Sequence, residues 1–403
     1  MHRCGVAGAD PSLTRDDSDE TGPRTGEIDH FDTTLAHWRG GTCHDPGTWK
    51  RSVLRSALRD LQWRRRRFAF AVLGTALVFG MALVITGISS GFDAEALRTV
   101  NELRVDTWVV GQGASGPFLG QSPMAATQVR KVAALPGVTR AVGTAFNHKD
   151  LVTPGKTQSV NLFGAPPGTL GLPPVSEGRP IAHNGQILIS TKLAGYTVGS
   201  HLAMGGHTFT VVGEVDDSTA LAGVPNVFLT LHDAQLVSVA GLPVISAIAV
   251  QGSLPAQLPP GLRAVSNLGA RQDLLRPLQQ ARSTITFLAV LLWIVAAMTM
   301  GSVIYVSVLE RQRDFAAFKA TGVSSASILA GLAIQAILLS IAAAIIGCGI
   351  AALLGPTMPM PVSLTLHSYL LLPVIAVIVG FIASLSGLRR AVSVDPALAF
   401  GGP

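Results

Sequence analysis

Charge is what this chain has least of. Only 13% of its 403 residues are Asp, Glu, Lys or Arg, while 48% are hydrophobic, and mean hydropathy is +0.44. That balance excludes an ordinary soluble domain and points to a membrane protein. Cysteine is scarce too. Cys4, Cys43 and Cys348 build no disulfide framework, and none lies in the long central segment, which must fold without one of its own. Residues 1–48 are polar, without helical or strand period, and read as a disordered tail. They hold no apolar h-region, so neither a cleavable signal peptide nor a lipid anchor at Cys4 is expected. Patterns that carry chemistry are missing as well. There is no Gly-x-x-x-x-Gly-Lys-Ser/Thr phosphate loop and no Gly-x-Ser-x-Gly elbow. His148, His183, His201, His207 and His232 lack metal-site spacing. No catalytic residue, metal site or cofactor is therefore expected on this chain.

The chain does have long uncharged runs. Phe68 to Ser90 is the first, roughly 34 Å long at about 1.5 Å per residue, enough to cross a bilayer. Residues 283–309, 328–354 and 368–388 follow, equally free of Asp, Glu, Lys and Arg. Spanning segments must satisfy their backbone polar groups internally, so all four are expected to be helices. Net charge is +6, but the basic residues cluster beside these runs, as topogenic residues do, so no nucleic-acid partner is expected. Arg64 to Arg67 and Arg389-Arg390 put both termini in the cytoplasm and residues 91–282 outside. Residues 49–67 read as an amphipathic helix lying on the lipid surface, with Leu54, Leu58 and Leu61 on one face and arginines on the other. Residues 355–367 make a short outer loop, and 389–403 a cytoplasmic tail in which Asp395-Pro396 opens a helix.

Within residues 91–282 charges of both signs return, and Pro and Gly punctuate short apolar runs. Asp106–Val110, Ser159–Phe163, Gln186–Ile189, Phe209–Val212, Val227–Leu231 and Ile245–Val250 are predicted strands. Gly205-Gly206 predicts a hairpin, and Ala126–Leu135 a helix stopped by Pro136-Gly137. Asp216-Asp217 reads as a solvated turn. The expected fold class is an integral membrane α-helical protein with four transmembrane helices plus an α+β extracytoplasmic domain between spans 1 and 2.

Two small-residue patterns bear on helix packing. Ala297 and Gly301 are four residues apart in the second run. Ala343, Gly347, Ala351 and Gly355 repeat every four residues at the end of the third. The second ridge fits either packing against another span of the same chain or the seam of a dimer.

The segment 310–327 departs most from its surroundings. It opens Glu310-Arg311-Gln312-Arg313-Asp314-Phe315-Ala316-Ala317-Phe318-Lys319-Ala320-Thr321-Gly322, between two uncharged runs. On a helix Phe315 and Phe318 share a face. Gly322 is a helix stop, and Ser324 or Ser325 an N-cap for the next span. Spacing alone favours a solvated cytoplasmic turn between two membrane helices. Framed by one span before the large domain and three after it, however, this run resembles the signature of the FtsX/MacB-type ABC transporter permeases. Leu135-Pro136-Gly137-Val138, Glu177-Gly178-Arg179-Pro180 and Phe209–Val215 resemble parts of that family's extracytoplasmic core domain. The resemblance implies that Glu310, Arg311, Arg313, Asp314, Phe315, Phe318, Lys319 and Gly322 dock on a separate ATPase chain, which would hold ATP and Mg. It implies a second permease copy, identical or related, in a plasma-membrane complex. It also implies that ATP-driven closure moves the outer domain, for export or extraction at the outer face. A non-transporting regulator acting on an envelope partner such as a cell-wall hydrolase remains an alternative, and a solute importer a weaker one.

Overall fold

The computed structural model describes Arg65–Glu310, apart from Gln121, Pro154, Gly155 and Thr169, and Ser324–Val392, apart from Pro359. The tail 1–48, residues 49–64 of the expected interfacial helix, Arg311–Val323 of the charged segment and the residues after Val392 lie outside the described residues. Helix α1 (Arg65–Glu102) runs for 38 residues without a break. The expected end of the first span near Ser90 is therefore not a helix end. The apolar period continues through Phe92, Ala96 and Val100, all buried, with Leu103 just beyond, and this stripe keeps the helix going into the next layer of structure.

That layer is an inserted α+β domain. In chain order it comprises β1 (Thr107–Gly111), β2 (Met124–Ala125), α2 (Gln128–Ala133), β3 (Val138–Thr153), β4 (Lys156–Ala165), β5 (Glu177–Gly178), β6 (Gln186–Ser190), β7 (His201–Met204), β8 (His207–Val215), β9 (Thr219–Ala220), β10 (Val224–Thr230), α3 (Leu231–Val239), β11 (Val244–Ile245), β12 (Ala247–Gly252) and β13 (Leu262–Ser266). Its main sheet has the order β13-β1-β12-β3-β4-β10-β6-β8-β5. The strand β3 joins its two halves. Val138–Thr144 pair with β12, and Ala145–Thr153 pair with β4. One apolar core, including Leu162, Ile187, Phe209 and Leu229, fills the β4–β10–β6–β8 half. A second takes in Trp108, Phe118, Phe163 and Phe228 together with the α1 stripe.

The Gly205-Gly206 hairpin forms as the sequence suggests, with both glycines at positive φ, +58° and +80°. Elsewhere the sequence reading is corrected. The strand expected to end at Leu231 ends at Thr230, whose hydroxyl accepts from the Asp233 amide and so caps α3. Residues 244–252 form two strands parted by Ser246, not one. The helix expected over 126–135 shrinks to α2. The sixteen-residue β3 has no counterpart among the predicted strands; its polar pairs and half-exposed faces hide the period-2 pattern.

After β13 come α4 (Asn267–Leu275), a single 3-10 turn (Arg276–Leu278) and α5 (Gln279–Glu310), then α6 (Ser325–Leu354) and α7 (Leu366–Val392). Among the described residues, four stretches are long and apolar enough to cross a membrane, and they lie in α1, α5, α6 and α7. They form a ring in which α1 neighbours α6 and α5, and α7 neighbours α6 and α5. The small-residue ridge of α6 is used inside the chain. A Cβ on Gly347 would lie 3.0 Å from the Ala76 carbonyl oxygen and 3.0 Å from the Phe79 Cβ, and Ala343 and Ala351 are fully buried. Gly355 falls outside the helix, where a Cβ would make only ordinary contact with Val362 and Leu364 at 3.8–3.9 Å.

Candidate functional site at the joint between bundle and inserted domain

The helix α1 belongs to two cores at once. Ala76, Phe79, Leu83 and Val84 are buried in the helical bundle, and Phe92, Ala96 and Val100 in the inserted domain. The helix crosses that boundary without interruption, so as one continuous rod it can carry tilt and translation from one core to the other. Polar side chains fix both ends of the joint. Asp93 takes one guanidinium on each carboxylate oxygen, Arg271 of α4 at 2.8 Å and Arg282 of α5 at 2.5 Å. One carboxylate thus ties together the helix that leaves the bundle and the pair that returns to it. Asp273 holds the return side to the domain, accepting from the amides of Phe118 and Leu119, each at 2.9 Å, and from the Ser115 hydroxyl at 3.0 Å.

A second cluster grips the turn between β8 and β10. Leu221, Ala222 and Gly223 have φ of +55°, +69° and +90°, a left-handed run that needs outside support. The Glu95 carboxylate supplies it, accepting from the Ala222 amide at 3.0 Å and the Gly223 amide at 2.8 Å. The Thr99 hydroxyl lies 2.8 Å from the Thr219 carbonyl, and the Ser218 hydroxyl donates to Glu102 at 2.8 Å. Arg98 pairs with Asp217, which also takes Lys192 at 3.3 Å. From the domain side, the Asn161 amide nitrogen donates to the Ala220 and Val224 carbonyls. Asp216-Asp217 forms a turn as the sequence suggests, with Asp216 exposed and Asp217 half-exposed in its pair with Arg98, and the turn clamped between the rod and the sheet is the next one, at Leu221–Gly223. Sequence reasoning missed Glu95, Arg98, Thr99 and Glu102. The available signal was their spacing: 95, 98, 99 and 102 lie on one helical face, next to the apolar stripe.

On the bundle side, the connection between α6 and α7 straps over the rod. The Ser363 amide donates to the Gly87 carbonyl at 3.0 Å. A Cβ on Gly91 would sit 1.8 Å from the Pro361 carbonyl oxygen, so only glycine lets this strap close. Between strap and turn lies an open cleft of about 620 Å³.

Of the residues expected to contact an ATPase, Glu310 is the last of α5. Arg311, Arg313, Asp314, Phe315, Phe318, Lys319 and Gly322 lie outside the described residues. α6 begins at Ser325, which leaves Ser324 in the position just before it. Glu310 and Ser325 mark the end of the bundle remote from the inserted domain, where Phe68, Val308 and Leu332 share a core. Ala297 and the buried Gly301 both line an apolar groove of about 680 Å³ between α5 and α7. No group of three or more His, Cys, Asp or Glu side chains suited to a metal ion occurs among the described residues.

Comparison with known proteins bears on this arrangement. Residues 68–260 match the MacB-like periplasmic core domain, and residues 286–396 the FtsX-like permease C-terminal domain. An ABC transporter permease of Mycobacterium tuberculosis is 47% identical over 351 residues, covering 87% of this chain and all of the relative. The chain belongs to the FtsX/MacB-type ABC transporter permeases. A second permease of the same organism is 45% identical over the same length. A protein named as a putative hemin transport system permease, HrtB of Staphylococcus haemolyticus, is 22% identical over 361 residues, covering 86% of this chain and 99% of its own. Among solved structures, the periplasmic region of MacB from Actinobacillus actinomycetemcomitans aligns over 96% of its length and 44% of this chain, with 14% identity and a TM-score of 0.32. As a member of this permease family the chain is a multi-pass membrane protein, and the name its relatives carry implies an ATPase partner. The joint lies where the permease's core domain and bundle share α1.

Proposed function

We propose that this permease couples ATP hydrolysis by a separate ATPase chain to movement of its inserted domain, and that the movement exports or extracts a substrate at the outer face of the membrane. ATP and Mg would be held by the ATPase, which docks on residues 310–327, with Phe315 and Phe318 as apolar anchors and Arg311, Arg313 and Lys319 supplying charge. A second permease copy would complete the assembly. The observation that supports this most is the unbroken α1. A displacement imposed at the Arg65 and Glu310 end of the bundle has a continuous helical path to the domain core through Phe92, Ala96 and Val100, and Asp93 ties the return arm to it. Both the docking segment and the domain connect to that one bundle, at opposite ends.

The test uses the permease and its ATPase in nanodiscs. Phe318→Ala is expected to weaken pull-down of the ATPase by about 1–3 kcal/mol, the usual range for an interfacial aromatic anchor. Spin labels on the inserted domain and the bundle should change separation on ATP binding in wild type and not in the Phe315→Ala/Phe318→Ala double variant. Unchanged binding and unchanged movement in a correctly inserted double variant would refute the coupling role.

A further inference from the structure

The cleft between strap and turn has two chemically different walls. One belongs to the inserted domain and presents Arg98 and Lys192, whose side chains are 46% and 59% exposed. Asp217 pairs with both cations and lines the cleft with them. Glu95 and Glu102 do not line the cleft; they accept from the turn amides and the Ser218 hydroxyl, and their charges also act on Arg98, which leaves Lys192 the less satisfied cation. The facing wall is the connection from Gly355 to Thr365, which holds no ionisable side chain and contributes Met360 and Leu364, joined by Tyr369 of α7. The level of the cleft is set by the strap. Ser363 bonds Gly87, within the last turn of the uncharged stretch of α1, so the cleft opens where the bilayer's headgroups meet its acyl chains.

We propose that this cleft binds an anionic amphiphile of that leaflet, its phosphate or carboxylate head on Arg98 and Lys192 and its chain along Met360, Leu364 and Tyr369. A free anion would use the first wall alone and leave the second in water. A neutral lipid would offer Lys192 no counter-charge beyond the Asp217 it shares with Arg98. About 620 Å³ lies within the range of small-molecule sites and suits a headgroup with the first part of a chain. Basic residues at a membrane surface favour anionic lipid by about 1 kcal/mol each, roughly fivefold in binding. The inference goes beyond the coupling reading, and its test uses the permease without any ATPase.

The purified permease is offered an equal mixture of phosphatidylglycerol and phosphatidylcholine with identical chains, and retained lipid is counted by native mass spectrometry. Phosphatidylglycerol should be retained in preference. Lys192→Gln should cut that preference about fivefold. Met360→Glu, which puts a carboxylate in the path of the chain, should also reduce it. Lys192 and Met360 are both well exposed, so both variants should melt like wild type. Glycerol 3-phosphate and short-chain phosphatidylglycerol are then compared as competitors. Displacement by the short-chain lipid alone supports an amphiphile site. Equal displacement by both would make this a free-anion site and overturn the proposal, as would a preference that is absent or indifferent to both substitutions.

Discussion

At the scale of single residues, the joint rests on a few charged and polar side chains. Asp93 gives each oxygen to a different arginine, and its carboxylate is 27% exposed. Asp93→Asn keeps the shape but removes the charge that both guanidinium groups meet. A charge-assisted hydrogen bond contributes about 1.5–3 kcal/mol, so the variant should lose on the order of 2 kcal/mol, read as a lower Tm of the purified protein. Coupled movement of the inserted domain should fall as well, because α4 and α5 would no longer be tied to α1. Glycines give a matched comparison. Gly91→Ala must push its Cβ into the Pro361 carbonyl, whereas Gly74 has no heavy atom within 4 Å of the same position. Gly91→Ala should therefore destabilise by about 1–3 kcal/mol and loosen the strap, while Gly74→Ala should leave thermal stability undiminished. If the two variants melt alike, the close approach of strap and rod is not an energetic constraint.

At the scale of elements, the small-residue ridge of α6 faces α1 rather than a surface. Gly347 meets the Ala76 carbonyl and the Phe79 Cβ, and from the other side a Cβ on Gly80 would lie 3.1 Å from the Gly347 carbonyl. Glycine at both positions lets two backbones approach without intervening side chains, and inside a bilayer such packing is a main source of helix association. Gly347→Leu should cost on the order of 1–3 kcal/mol through steric overlap, measured by detergent unfolding of the single chain. A monomer as stable as wild type would show that the helices separate easily there. The spacing of Ala343, Gly347 and Ala351 was legible in the sequence; the partner was not. A repeat of four residues states that one face is smooth, but only the ring order of the helices says which helix fills it. Sequence alone likewise showed the hairpin at Gly205-Gly206, because two adjacent glycines permit the positive φ that the turn demands. It did not show β3, whose sixteen residues change partner from β12 to β4 halfway along and keep no single buried face.

At the scale of the whole molecule, the charge pattern leads us to expect the inserted domain on one side of the membrane and residues 52 and 393 on the other. In a variant whose native cysteines are replaced, a cysteine at Leu242, an exposed position of the domain, should react with an impermeant maleimide in intact cells. Cysteines at Ser52 or Ser393 should not, and labelling at either would reverse the orientation. The number of spans, the place of the large insertion and the charged segment 310–327 follow from the sequence by itself. Uncharged stretches of about 20 residues have a single common solution in lipid, and their order along the chain is the topology. The joint was decided only in three dimensions. Asp93 meets arginines 178 and 189 residues away, and Glu95 meets a left-handed turn 127 residues away. Hydropathy ends the first span near Ser90 because it registers the loss of lipid-like residues. The helix itself continues to Glu102, because the inserted domain provides a second apolar core to replace the bilayer around Phe92, Ala96 and Val100.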